Sequence, residues 1–95
     1  MLTEYDKDAV MAKMMQVLKI EKNIILDKRR GNPCRPLAIY LIKRFTPHSL
    51  SEIGNSFKMD YSAVSQAAKR FELKSEMNSE TKEIMQRMLT ALMEG

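Results

Sequence analysis

The side chains with chemistry to offer gather late in the chain. Tyr61, Ser62, Ser65, Gln66, Lys69 and Arg70 fall at spacings that share one face of a helix. Their groups are hydroxyls, an amide and two cations, which form reversible polar contacts and no covalent bonds. In a DNA major groove, hydroxyls pair with several base edges, the Gln66 amide suits adenine, and a methyl such as that of Ala63 packs on thymine. Lys69 and Arg70 lie further along the same face, nearer to where phosphates would run. The plainer reading of this face is a solvated side of an amphipathic helix.

Covalent chemistry finds no matching set. His48, the single histidine, sits in a turn beside Pro47, where a capping or phosphate-side role competes with no role. The lone Cys34 cannot form an internal disulfide and has no metal-ligand spacing, so it reads as a small filler. Paired carboxylates, a nucleophile with its base, or a metal cluster cannot be assembled from these residues. No enzymatic activity, metal, cofactor or small-molecule substrate is therefore expected.

Positioning such a face is the work of residues 49–71, SLSEIGNSFKMDYSAVSQAAKRF. A helix-turn-helix needs a small residue where its two helices cross, an apolar residue in the turn, and an inward stripe on the second helix. Gly54, Met59 and the set Val64, Ala67, Ala68 and Phe71 meet those needs in order, with Ile53 and Phe57 on the inner face of the first helix. Ser49 and Glu52 form a capping-box pattern, and Asp60 stands where an N-cap belongs. The helix-turn-helix is placed at 49–73, with its reading helix at about 60–73.

The remaining elements read as helices as well. A first helix runs from Thr3 or Asp6 to Leu18, with Val10, Met11, Met14, Met15 and Val17 at helical spacing. A second, from Glu21 to Arg29, turns Ile24, Ile25 and Leu26 inward and ends at Gly31, Asn32 and Pro33. The third, Arg35 to Phe45, is the most apolar segment and should be the central element; Tyr40 within it is read as core. Period alone would also allow a strand there, but Pro36 near its start and continuation through Lys43, Arg44 and Phe45 favour a helix. A last helix, Asn78 to Met93, carries Ile84, Met85, Met88, Leu89 and Leu92 and closes the core.

Composition agrees with one all-α domain spanning 1–95, a compact bundle of about six helices. At 95 residues and 44% hydrophobic, the chain can bury a single core. Three Gly and three Pro are too few for the turns of an all-β fold. No apolar run approaches the ~18 residues of a membrane span, so a cytoplasmic protein without a membrane partner is expected. Charge is unevenly placed: residues 28–74 hold ten Lys/Arg against three acids, while residues 1–27 carry net −1 and residues 75–95 net −2. A basic centre between neutral-to-acidic ends suits one surface meeting a polyanion, although a solvated charged surface would show the same totals.

With these residues in place a family resemblance emerges. The stretch KRRGNPCRPLAIYLIKRFTPHSLSEIGNSFKMDYSAVSQAAKRF, residues 28–71, resembles the C-terminal DNA-binding domain of the bacterial replication initiator DnaA, a helical fold similar to Trp repressor. The Lys28-Arg29-Arg30 cluster, the run from Thr46 to Gly54 and Asp60 carry the likeness. It implies double-stranded DNA as partner, in the nucleoid. It also implies Arg30, with Arg29 close behind, as the arginine that enters the minor groove. Arg35 matches a basic residue at the start of the third helix, and Ser51 falls where the family has a proline near DNA. Asp60 is kept, whereas Tyr61 replaces the family's His and Ser62-Ala63 its Thr-Thr. The Gly-Gly-Arg turn becomes Lys58-Met59, one residue shorter. These changes imply a target other than the initiator's own box. The Asp-Tyr-Ser-Ala-Val-Ser run followed by Lys-Arg-Phe is more similar to the DnaA-like domain at the C-terminus of some REP-associated tyrosine transposases, which implies a piece of a larger parent. Neither parent's catalytic machinery is expected: glycines occur only at 31, 54 and 95, too sparse for a P-loop, and one His cannot form a paired-His nuclease motif.

One competing function comes from a different class. In a helical protein-interaction module, Met11, Met14, Met15, Met85, Met88 and Met93 on the outer helices would line an adaptable partner groove, and the basic centre would be incidental.

Overall fold

The most apolar stretch of the sequence forms the axis of the fold. In the computed structural model, which describes residues 6–27 and 32–94, the helices are α1 (Lys7–Leu18), α2 (Lys22–Leu26), α3 (Cys34–Phe45), α4 (Leu50–Phe57), α5 (Tyr61–Met77) and α6 (Ser79–Glu94). No strand occurs among the described residues, so the fold is all-α. Six consecutive residues of α3, Leu37 to Ile42, are buried. A helix that is apolar all round must be covered all round, and α3 touches α1, α2, α4 and α5. Tyr40 belongs to this core, its ring 5.7 Å from that of Phe71.

α1 starts where Asp6 accepts the Ala9 amide at 2.7 Å. The alternative start at Thr3 lies outside the described residues. α6 closes the bundle over α1 and α5, burying Met88 and Leu92. Met11, Met14 and Met88 are 5%, 0% and 0% exposed, which corrects the reading of the outer methionines as a common groove. They fill the seam where these helices meet the core, because an unbranched side chain fits an irregular gap. Among the described residues, no helix is long and apolar enough to cross a membrane.

Two elements depart from the sequence reading. α2 ends at Leu26, short of the expected Arg29, and only Ile25 is buried, with Ile24 39% and Leu26 36% exposed. Successive helical residues point about 100° apart, so three in a row cannot all face a core that lies on one side. The helix stops because the Asn32 amide donates to the carbonyls of Ile24 (2.7 Å) and Asp27 (3.1 Å). The Asn32 side-chain oxygen also accepts the Cys34 amide at 3.1 Å, joining the end of α2 to the start of α3. α5 instead overruns, continuing to Met77. Ser75 extends its inward stripe, buried with its hydroxyl donating to the Glu72 carbonyl at 2.6 Å. Asn78 then serves as a one-residue joint: its amide closes α5 onto the Lys74 carbonyl, and its side chain caps α6 by accepting from Thr81 at 3.0 Å.

Candidate nucleic-acid interface

The site is assembled from its helix ends. Ser49 and Glu52 form the expected reciprocal cap on α4, the Glu52 amide donating to the Ser49 hydroxyl at 3.2 Å and the Ser49 amide to the Glu52 carboxylate at 2.9 Å. The Ser49 amide, joined by the Ser49 hydroxyl and by His48, holds the Glu52 carboxyl below its ordinary range. His48 stands beside this cap, its Nδ1 3.6 Å from Glu52, while its Nε2 is buried with no partner among the described residues.

Gly54 fixes how α4 meets α5. A Cβ there would overlap the Met59 carbonyl oxygen and come within 3.5 Å of Val64 Cγ2. The turn is drawn that close because the Met59 amide donates to the Gly54 carbonyl at 2.8 Å. Lys58 adopts a left-handed conformation, φ 57, to reverse the chain in so few residues. Asp60 then caps α5, accepting from Ala63 at 2.7 Å. Val64, Ala68 and Phe71 are buried beneath α5, whose inner face packs on α3 and α4.

With that stripe inside, the opposite face is open. Tyr61 is 62% exposed, and Ser62, Gln66, Lys69 and Arg70 are exposed alongside it. Ala63 and Ser65 are half-buried at the flanks, Asp60 is exposed at the cap, and Ser51 is exposed on α4. Seven of the sequence-derived site residues thus cluster at and after the start of α5. Arg35 is turned elsewhere: it donates to the Phe57 carbonyl at 2.8 Å and lies 5.9 Å from the centre of the Phe57 ring, capping the end of α4. Arg29 and Arg30 lie outside the described residues, although Asp27 and Asn32 on either side of them are tied by the Asn32 bonds.

Two features carried no sequence signal. Lys7 donates to the Ser56 hydroxyl at 2.7 Å, bracing α1 against α4 across 49 residues. Beside α5, a groove of about 410 Å³ opens against α3, lined by Tyr40, Lys43, Arg44, Ser65, Lys69 and Glu72. Arg44 donates to the Tyr40 hydroxyl across its floor at 3.0 Å.

A helix-turn-helix inside an all-α bundle, its second helix presenting hydroxyls, an amide and cations, defines a class of nucleic-acid-binding domains. Over residues 8–70, well over half of the chain, the sequence matches the family described as bacterial DnaA protein helix-turn-helix. The chain belongs to that family of DNA-binding domains. No curated protein and no solved structure matches it.

Proposed function

We propose that the chain reads a specific sequence of double-stranded DNA and acts by binding alone. The first half of α5 enters the major groove, and the basic segment with Arg29 and Arg30 reaches toward the adjacent minor groove or backbone. The observation that carries this reading is the open stripe of Tyr61, Ser62, Gln66 and Lys69 on a helix whose start is fixed by the Asp60 cap and the Gly54 crossing. A recognition helix meets base edges through its N-terminal residues. Tyr61 and Ser62 occupy that position, while Lys69 lies two turns on, where phosphate contacts set register and not sequence. The Asp60–Ser65 run followed by Lys69-Arg70-Phe71 favours a role as the targeting domain of a transposase-associated or replication-initiator-related parent in the nucleoid.

Binding of labelled duplexes at increasing salt tests the reading. Affinity should fall steeply with salt. Tyr61→Ala and Ser62→Ala should each cost about 1–3 kcal/mol on the preferred sequence and little on others. Lys69→Gln should weaken all sequences alike. Equal affinity for every duplex at every salt concentration, or none at low salt, refutes it.

A further inference from the structure

The groove between α3 and α5 is built for an anion. Three cations, Lys43, Arg44 and Lys69, surround it against one carboxylate, Glu72. Neither lysine makes an ion pair among the described residues, so both charges are available. Arg44 is held in place, its guanidinium 5.8 Å from the centre of the Phe45 ring and bonded to the Tyr40 hydroxyl at 3.0 Å. Because the Tyr40 oxygen accepts that bond, its own hydrogen remains to be donated. Packing of the Tyr40 ring against Phe71 keeps that hydroxyl at the floor of the groove. Ser65 supplies a second hydroxyl with no protein partner among the described residues.

Position narrows the anion to an extended one. The groove shares Ser65 and Lys69 with the open stripe of α5, so whatever fills it continues along that helix. On the other flank of α5, Arg70 and Lys74 line a second groove of about 280 Å³ beside Asn32 and Pro33. The stripe therefore runs between two cationic walls. A helix in a major groove about 12 Å wide runs between two phosphate chains in the same way.

We propose that the groove between α3 and α5 seats the phosphodiester backbone of one DNA strand, with Lys43, Arg44 and Lys69 supplying charge and Tyr40 and Ser65 supplying hydrogen-bond donors. This rests on the duplex-binding reading above and adds residues of α3 to it. Glu72 opposes the phosphates and tempers the affinity of the seat.

The test is a salt titration of the full chain on the preferred duplex and on an arbitrary one. Lys43→Gln and Arg44→Gln should each lower the slope of log affinity against log salt by about 0.9, which is about an eightfold loss at ~0.1 M salt. The loss should be equal on both duplexes, and Arg44→Lys should restore the slope. Glu72→Gln should tighten binding to both duplexes, and Arg87→Gln on α6 should change neither slope nor affinity. Thermal melting of Lys43→Gln should match that of the unmutated chain, excluding misfolding. If the unmutated chain binds duplex and the Lys43 and Arg44 variants keep its slope, or lose affinity on one sequence only, the phosphate seat is overturned while duplex binding stands. If the unmutated chain binds no duplex, the duplex-binding reading itself fails.

Discussion

Replacing Gly54 by Ala sets helix propensity against packing. Alanine is favoured over glycine by about 1 kcal/mol inside a helix, so at a solvent-facing position the change would stabilise. In this chain the new Cβ would overlap the Met59 carbonyl oxygen, with the Met59 carbonyl carbon 3.2 Å away. Both are backbone atoms of the turn, and the Met59 amide is bonded to the Gly54 carbonyl at 2.8 Å, so no rotamer change can relieve the contact. Overpacking against a fixed neighbour costs about 3 kcal/mol at the upper end of its usual range. The net destabilisation is then about 2 kcal/mol, or a melting temperature about 10 °C lower for a domain of this size. Circular dichroism melts and urea titrations of the two proteins measure it. Because the turn carries the start of α5, Gly54→Ala should also blunt sequence preference in DNA binding. An unchanged or raised melting temperature would refute the argument that close crossing, and not mere tolerance, places glycine there.

Lys58 holds a left-handed conformation at φ 57 without being glycine. Lys58→Gly should therefore stabilise the fold by up to about 1 kcal/mol in urea titrations, the gain being reduced by a looser unfolded chain. Asp60→Ala removes the α5 cap and should cost about 1 kcal/mol, together with weaker affinity for the preferred duplex. Glu52 has a folded-state carboxyl below its unfolded value, so its contribution is present above the unfolded value and lost as pH falls through the folded one. Between neutral and strongly acid solution, Glu52→Gln should lose less urea resistance than the unmutated chain. Equal losses would contradict the Ser49–Glu52 cap as the cause.

Where a residue type serves one purpose, the sequence was readable. Ser49 with Glu52, Asp60, and Gly54 before an apolar turn each answer a local demand of the backbone, and each stands in the expected role. Tyr40 read correctly as core because every neighbour in α3 is apolar. Packing that depends on distant partners was not readable. Nothing in Lys7 foretells Ser56, and a basic residue opening a helix gave no sign that Arg35 would close onto Phe57, 22 residues away. The end of α5 was placed early because Leu73 breaks the apolar stripe. It is 51% exposed, yet no residue between it and Met77 disrupts a helix. The outer methionines misled for a related reason, since helical spacing shows which residues share a face but not whether that face is covered. The groove under Arg44 was hidden because Tyr40 belongs to the core and to the groove floor at once.

The central claim is that α5 reads base edges through Tyr61 and Ser62. Selection of bound duplexes from a random library, run in parallel on the unmutated chain and on Tyr61→Ala, tests it most directly. The account predicts one reproducible motif, distinct from the replication initiator's box, and loss of preference in the Tyr61→Ala selection at one or more adjacent positions within that motif. A pool that stays random through successive rounds, or a motif that survives Tyr61→Ala unchanged, would contradict it.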